Sequence, residues 1–192
     1  MDATDLMRRL ISVLEDQGIA YMLVGSMASS LYGRVRFTAD IDIVLDLNAE
    51  QAEKLCAAFP APEYYVSLEA AREAVRLRRQ FNIIHPASGM KVDLILSRAD
   101  AWGRAQMARR ERAWILPDCQ GYMARPEDII LSKMRYYKIG GSEKHLRDIT
   151  SILKRNSDKV DPAYIAHWAE ELGLKETWDL IKKRLSEMPE EE

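Results

Sequence analysis

Residues 25–46 read Gly-Ser-Met-Ala-Ser-Ser-Leu-Tyr-Gly-Arg-Val-Arg-Phe-Thr-Ala-Asp-Ile-Asp-Ile-Val-Leu-Asp, and this stretch decides the fold. Just before it, residues 20–24 form a short apolar run that reads as a buried strand. Gly25-Ser26 breaks the run, residues 27–32 look helical, and Gly33 ends that helix. Residues 40–47 then alternate acidic and apolar side chains, the pattern of a half-buried strand. Residues two apart on a strand point the same way, so Asp40 and Asp42 share one face while Ile41 and Ile43 turn to the core.

Upstream, a helix is predicted over residues 4–17, with Leu6, Leu10, Val13 and Leu14 on one face and Gly18 as its stop. Downstream, Asn48 can cap a helix reaching Phe59, which Pro60 and Pro62 end. Residues 69–79 read as a charged helix. Residues 81–85 and 91–96 read as strands joined by a turn around Ser88-Gly89. A helix over 100–112 and a strand over 113–116 follow. Beyond that the pattern is nearly all helical. Pro126 with Glu127 and Asp128 makes a helix start, Gly140-Gly141 a stop, and three further amphipathic helices follow. The expected architecture is α/β (α+β): a small mixed sheet flanked by helices over residues 1–124, a C-terminal helical bundle over 125–188, and an acidic tail, 189–192.

Composition narrows the function classes. Of 192 residues, 47% are hydrophobic and 30% charged, enough to build a core. The net charge of -2 excludes a globally basic nucleic-acid coat but not a local basic face. The two cysteines, Cys56 and Cys119, cannot by themselves make a disulfide framework or a four-ligand zinc site, and are expected to be buried thiols. The N-terminus is acidic where a secretory signal is basic, and no apolar run approaches the roughly 20 residues of a membrane helix. The expectation is a soluble, reduced, cytoplasmic protein with no membrane partner.

Three elements carry chemistry. Backbone N–H groups at the start of the helix after Gly25-Ser26 favour an anion, glycine admits a close approach, and the serine hydroxyl adds a donor. Gly-Ser pairs are also ordinary turn residues. Asp40 and Asp42 repel one another unless a cation sits between them, and hard oxygen donors select Mg2+ or Mn2+. The plain alternative is two solvated acids. Lys91-Val92-Asp93-Leu94-Ile95 sets a third acid on another strand. If that strand lies beside the first, Asp93 joins the other two, and three carboxylates in a cleft are what a two-metal site needs.

In this order, the strand, Gly25-Ser26, helix, Asp40-Ile41-Asp42 strand and later Asp93 strand resemble the DNA polymerase β-like nucleotidyltransferase superfamily over roughly residues 20–96. The chain is further similar to the abortive-infection AbiEii-type group. Arg36 precedes Thr38-Ala39-Asp40-Ile41-Asp42 as in that group's motif, Pro126 to Met134 resembles its helical lysine motif, and His145-Leu146-Arg147-Asp148-Ile149 its Arg-Asp motif. The resemblance implies transfer of a nucleoside monophosphate from an NTP to an acceptor hydroxyl, with release of pyrophosphate. It implies that Asp40, Asp42 and Asp93 hold divalent metal and that Asp93 takes the acceptor's proton. Gly25, Ser26, Arg36 and Lys133 would bind nucleotide, with Asp148 orienting Lys133. The acceptor is open between RNA (transfer RNA included), protein and a small molecule. The rival reading is a non-catalytic nucleotide- or partner-binding member, such as half of a toxin–antitoxin-like pair with a cognate antitoxin-like protein.

Outside the resemblance, Lys133 reads as a solvated lysine and Asp148 as half of a surface ion pair. His85, His145 and His167 have no metal-ligand spacing, and Tyr136, Tyr137 and the four tryptophans read mostly as core. Arg72, Arg76, Arg78 and Arg79, and Arg104, Arg109, Arg110 and Arg112, lie on predicted charged helices and read as solvated faces. Beside the acidic strands they would suit RNA phosphates.

Overall fold

The computed structural model describes residues 3–33 and 40–187, so Arg34, Arg36, the Thr38-Ala39 pair and the acidic tail lie outside the described residues. The described chain divides into two units: residues 3–28 with 40–124, and residues 29–33 with 125–187.

Among the described residues, the strands all lie in the first unit. Its elements are α1 (Ala3–Asp16), β1 (Ala20–Leu23), the start of α2 (Gly25–Tyr32), β2 (Asp40–Asp46), α3 (Ala49–Ala57), β3 (Tyr65–Val66), α4 (Leu68–Leu77), β4 (Gln80–His85), β5 (Met90–Leu96), α5 (Ala101–Arg109), β6 (Glu111–Leu116) and β7 (Cys119–Met123). α1 buries Leu6, Met7, Leu10 and Leu14 completely, as its periodicity requires, and Gly18 (φ 62°) ends it in the left-handed region. Asn48 caps α3 reciprocally: its Oδ1 accepts from Gln51 N–H at 2.9 Å, and its own N–H donates to Gln51 Oε1 at 3.0 Å.

The seven strands form one mixed sheet in the order β3-β4-β5-β2-β1-β7-β6. β2 runs antiparallel to β1 and parallel to β5, and β5 runs antiparallel to β4. The pleat segregates the side chains. Ile41, Ile43 and Leu45 on β2 pair with Val92, Leu94 and Leu96 on β5, and all six are buried. Phe81 and Ile83 extend this layer onto β4. The apolar layer fixes the register, because a slip of one residue would turn all these groups to the other face.

Two expectations are corrected. The helix predicted over 100–112 stops at Arg109, and β6 takes up Glu111 and Arg112, because Arg110 turns extended (ψ 144°) and β6 pairs with β7. β7 itself has weak strand propensity because Gly121 sits in its middle. A side chain there would meet Ile11 Cδ1 and Tyr21 Oη, each at 3.0 Å. Long-range packing therefore selects a residue that local propensity penalises.

The second unit is helical: residues 29–33 with α6 (Pro126–Gly140), α7 (Glu143–Arg155), α8 (Pro162–Glu171) and α9 (Lys175–Glu187). Ile129, Ile130, Leu131 and Met134 of α6, Leu146, Ile149 and Ile152 of α7, Ile165 of α8 and Ile181 of α9 are buried. Glu127 and Asp128, readable as helix-start acids, are only 1% exposed. Glu127 Oε1 accepts from Asp161 N–H at 3.0 Å, and Tyr164 Oη donates to Asp128 Oδ1 at 2.9 Å, tying α8 to α6. Asn156 Nδ2 donates to Tyr32 O at 2.6 Å and Arg155 Nη1 to Gly33 O at 3.1 Å, which holds the 29–33 segment in this unit.

Candidate functional site

The site is built on the non-core face of β2, β5 and β4. Asp42 lies opposite Asp93 in the parallel β2–β5 register, Asp40 lies opposite Lys91, and Asn82 on β4 lies opposite Asp93. These five positions form a patch in which every side chain points away from the apolar layer. Asp40 is exposed, whereas Asp42 and Asp93 are half-buried.

Gly25 and Ser26 complete the patch. Gly25 has φ 67°, and a Cβ built on it would lie 1.9 Å from Asp42 Oδ2 and 2.6 Å from its Cγ. Only a residue without a side chain fits, so this glycine makes room for the Asp42 carboxylate. Ser26 donates its backbone N–H to that carboxylate, and Val24 N–H donates to Asp42 O at 2.9 Å. The tight bend read from the sequence as an approach to phosphate also seats the Asp42 carboxylate.

Burial, and then the neighbouring Asp93 carboxylate, push the Asp42 carboxyl above its ordinary range; the Ser26 N–H works in the other direction. Asp93 is held from the side. Lys91 Nζ stands 2.8 Å from its Oδ2, and Asn82 Nδ2 donates to its Oδ1. The hydrogen bond to Asp93, together with the field of Asp93, Asp40 and Asp42, holds the Lys91 ammonium above its ordinary value.

The donor set fits a divalent cation in kind: hard carboxylate oxygens, with Asp42 destabilised by the like charge that a cation would relieve. It does not converge as it stands. Among the described residues no three His, Cys, Asp or Glu side chains gather as metal ligands do. Two of the three acids are therefore brought side by side, the third is set at the open end, and Asp93 is turned to Lys91 and Asn82. Neither partner of Asp93 was singled out from the sequence. The signal for Lys91 was its spacing of two from Asp93, which puts both on one face.

In the helical unit, Lys133 is buried (5% exposed) and its Nζ lies 2.7 Å from Asp148 Oδ2. The reading of a solvated lysine is corrected, and the pairing implied by the resemblance is present. His145 stacks on Tyr136 with ring centroids 5.8 Å apart. Burial, then the Lys133 charge, depress its imidazole below the ordinary value. Tyr136 and Trp114 are exposed rather than core, and Cys119 is only half-buried while Cys56 is buried.

The basic stretches divide. Arg72 pairs with Glu53 at 2.6 Å and Arg78 with Asp46 at 2.9 Å, while Arg76 and Arg79 are exposed. Arg112 stands 3.4 Å from Glu15, and Arg110 and Arg112 both lie over the Tyr122 ring. The second stretch is split between α5 and β6 and forms no helix face.

No protein-family model matches the sequence, and no curated protein matches it. The likeness is structural. The solution structure of the antibiotic-resistance factor ANT(2'')-Ia aligns with a TM-score of 0.58 at 14% identity, covering 97% of each chain. The lincomycin-bound lincosamide antibiotic adenylyltransferase LnuA aligns at 0.51 and 15% identity, covering 79% of this chain and 96% of that one. An antigenic nucleotidyltransferase-like protein from Paracoccidioides brasiliensis aligns at 0.51 and 20% identity, covering 80% and 78%. The chain has a nucleotidyltransferase fold. In this nucleotidyltransferase fold the acidic patch occupies adjacent strands of the sheet, β2 and β5. Among the described residues no helix is long and apolar enough to cross a membrane.

Proposed function

We propose that the protein transfers a nucleoside monophosphate from an NTP to an acceptor hydroxyl and releases pyrophosphate. The observation that carries the proposal is the seat built for Asp42. A glycine without alternative at position 25, a backbone N–H from Ser26 and a second carboxylate opposite maintain a raised-energy acid on a sheet face. A scaffold gains nothing from such an arrangement, whereas a site that must hold cationic or phosphate charge does.

In this reading the acceptor oxygen attacks the α-phosphorus, the bond to the bridging α–β oxygen breaks, and pyrophosphate leaves. Asp40, Asp42 and Asp93 would hold Mg2+ or Mn2+, which supplies neutralisation of charge on the attacking and leaving oxygens. Asp93 accepts the acceptor's proton, and Asn82 orients the carboxylate that does so. Ser26, at the first turn of α2, contributes its hydroxyl to the phosphates while its N–H fixes Asp42. Lys133 is assigned to nucleotide phosphate, with Asp148 fixing its ammonium; support comes from the burial of that ion pair. The AbiEii-type grouping rests on the Arg36-to-Asp42 motif with the lysine and Arg-Asp motifs and belongs to this proposal. So does RNA as acceptor, with Arg76 and Arg79 as phosphate contacts.

The test is label transfer from each α-labelled NTP, with Mg2+, into total cell RNA, protein and a small-molecule pool that includes antibiotics bearing hydroxyls. Uptake into one fraction, lost in Asp42→Ala, is the expected result. Equal transfer by that variant removes Asp42 from the chemistry.

A further inference from the structure

Among the described residues, the three acids share their face with a cation of the chain itself, Lys91. Lys91 lies opposite Asp40 in the β2–β5 register, two residues before Asp93 on the same strand face, and its Nζ is 2.8 Å from Asp93 Oδ2. Asp93 is 13% exposed and Lys91 38%, so the ammonium is the more exposed half of the pair. The other oxygen of Asp93 accepts from Asn82, so both oxygens already have protein partners.

We infer that Lys91 is a resident counter-cation that holds Asp93 in a non-ligating pose and competes with divalent metal for the acidic patch. The inference rests on the metal assignment made above and adds the residue that sets metal affinity. Like charges on neighbouring strands repel, and one ammonium among three carboxylates offsets part of that repulsion in the absence of metal. The same ammonium repels an incoming divalent ion and must swing away for Asp93 to bind it. Lysine suits this exchange. It is a compact point charge on a flexible stem, and at 38% exposure its head can leave for water without a buried cost.

Removing the charge should therefore tighten metal binding, although it removes an ion pair. A unit charge within several ångströms of a divalent ion at a half-exposed site corresponds to about tenfold in affinity. Mn2+ alone, without nucleotide, is titrated into the parent, Lys91→Gln, Lys91→Arg and Asp42→Asn, and free Mn2+ is read by electron paramagnetic resonance. The expected result is a Kd for Lys91→Gln about tenfold below the parent, with Lys91→Arg within about twofold of it. Lys91→Gln should also melt below the parent in EDTA and gain more than the parent from Mn2+. A Lys91→Gln protein that binds Mn2+ no more tightly than the parent, while parent binding is lost in Asp42→Asn, overturns the role of Lys91 and leaves the metal assignment standing. Equal binding by parent and Asp42→Asn overturns the assignment beneath it as well. If Lys91→Gln folds only with Mn2+, the exchange of one cation for the other is shown directly. If it stays unfolded with the ion, the ion does not replace the ammonium and the inference fails.

Discussion

Gly25→Ala should be strongly destabilising, because the added methyl group meets the Asp42 side chain on the neighbouring strand β2. Gly25 has φ 67°, a region that costs an L-residue roughly 1–2 kcal/mol. The new Cβ would also lie 1.9 Å from Asp42 Oδ2, so the carboxylate must move by well over an ångström. That motion surrenders the Ser26 N–H, a charge-assisted bond worth about 1.5–3 kcal/mol. The sum is about 2.5–5 kcal/mol, or roughly 5–20 °C in Tm for a chain of this size. Gly18→Ala and Gly89→Ala are matched controls in the same unit. Their φ values are 62° and 68°, and nothing lies within 4 Å of the added carbon. They should lose only the backbone term, roughly 2–8 °C. Thermal unfolding followed by circular dichroism compares the three. Asp42→Ala removes the two nearest atoms, leaving its Cβ at 2.8 Å. The Gly25→Ala/Asp42→Ala double variant should therefore be less destabilised than the sum of the singles by about 1 kcal/mol or more. If Gly25→Ala melts with the two control glycines, or the double variant is additive, the seat described for Asp42 is wrong.

Asp42→Asn should raise Tm at neutral pH. The folded carboxyl has a raised pKa, so its ionised form works against the fold above that pKa, and the handicap disappears as pH falls through it toward the ordinary value. The two proteins should converge in Tm in acid; a parent that melts higher at pH 7 refutes this. Asp148→Ala should cost about 1.5–3 kcal/mol by removing the carboxylate 2.7 Å from the buried Lys133 ammonium, and Lys133→Met clearly less, as denaturant titrations would show. The reverse ranking would show that Lys133 reaches water. Charge reversal at Arg76 and Arg79 should weaken RNA retention on filters at low salt, and unchanged retention removes RNA phosphates from that face.

Much of this fold was legible because its pleats are regular. Asp40-Ile41-Asp42-Ile43 and Lys91-Val92-Asp93-Leu94 alternate without exception, and their apolar halves pair as the alternation demands. The caps at Asn48 and Pro126 and the stops at Gly18 and Gly141 were local chemistry, readable within one turn. β7 was not legible, since its strand character comes from neighbours and its Gly121 argues against it. Nor was the extent of β6, which pairing decides. In the site, the adjacency of Asp42 and Asp93 was a conditional reading that depended on which strands are neighbours. The need for glycine at 25 is set by a side chain 17 positions later. Lys133 looked solvated because a helix periodicity reports one face and says nothing of what covers the other.

The connection between β4 and β5 carries a kinetic consequence. These strands are joined by a short turn at residues 86–89, so their pairing closes a small loop, whereas β2 reaches β5 only across α3, β3, α4 and β4. Asp93 is thus expected to meet Asn82 and Lys91 on a local hairpin before it meets Asp42. The nascent hairpin arrives with its acid already neutralised, and the electrostatic penalty of bringing two carboxylates together is deferred to the final docking of β2. Pulse-labelling amide exchange should show β4 and β5 protected ahead of β2, and simultaneous protection would contradict that order.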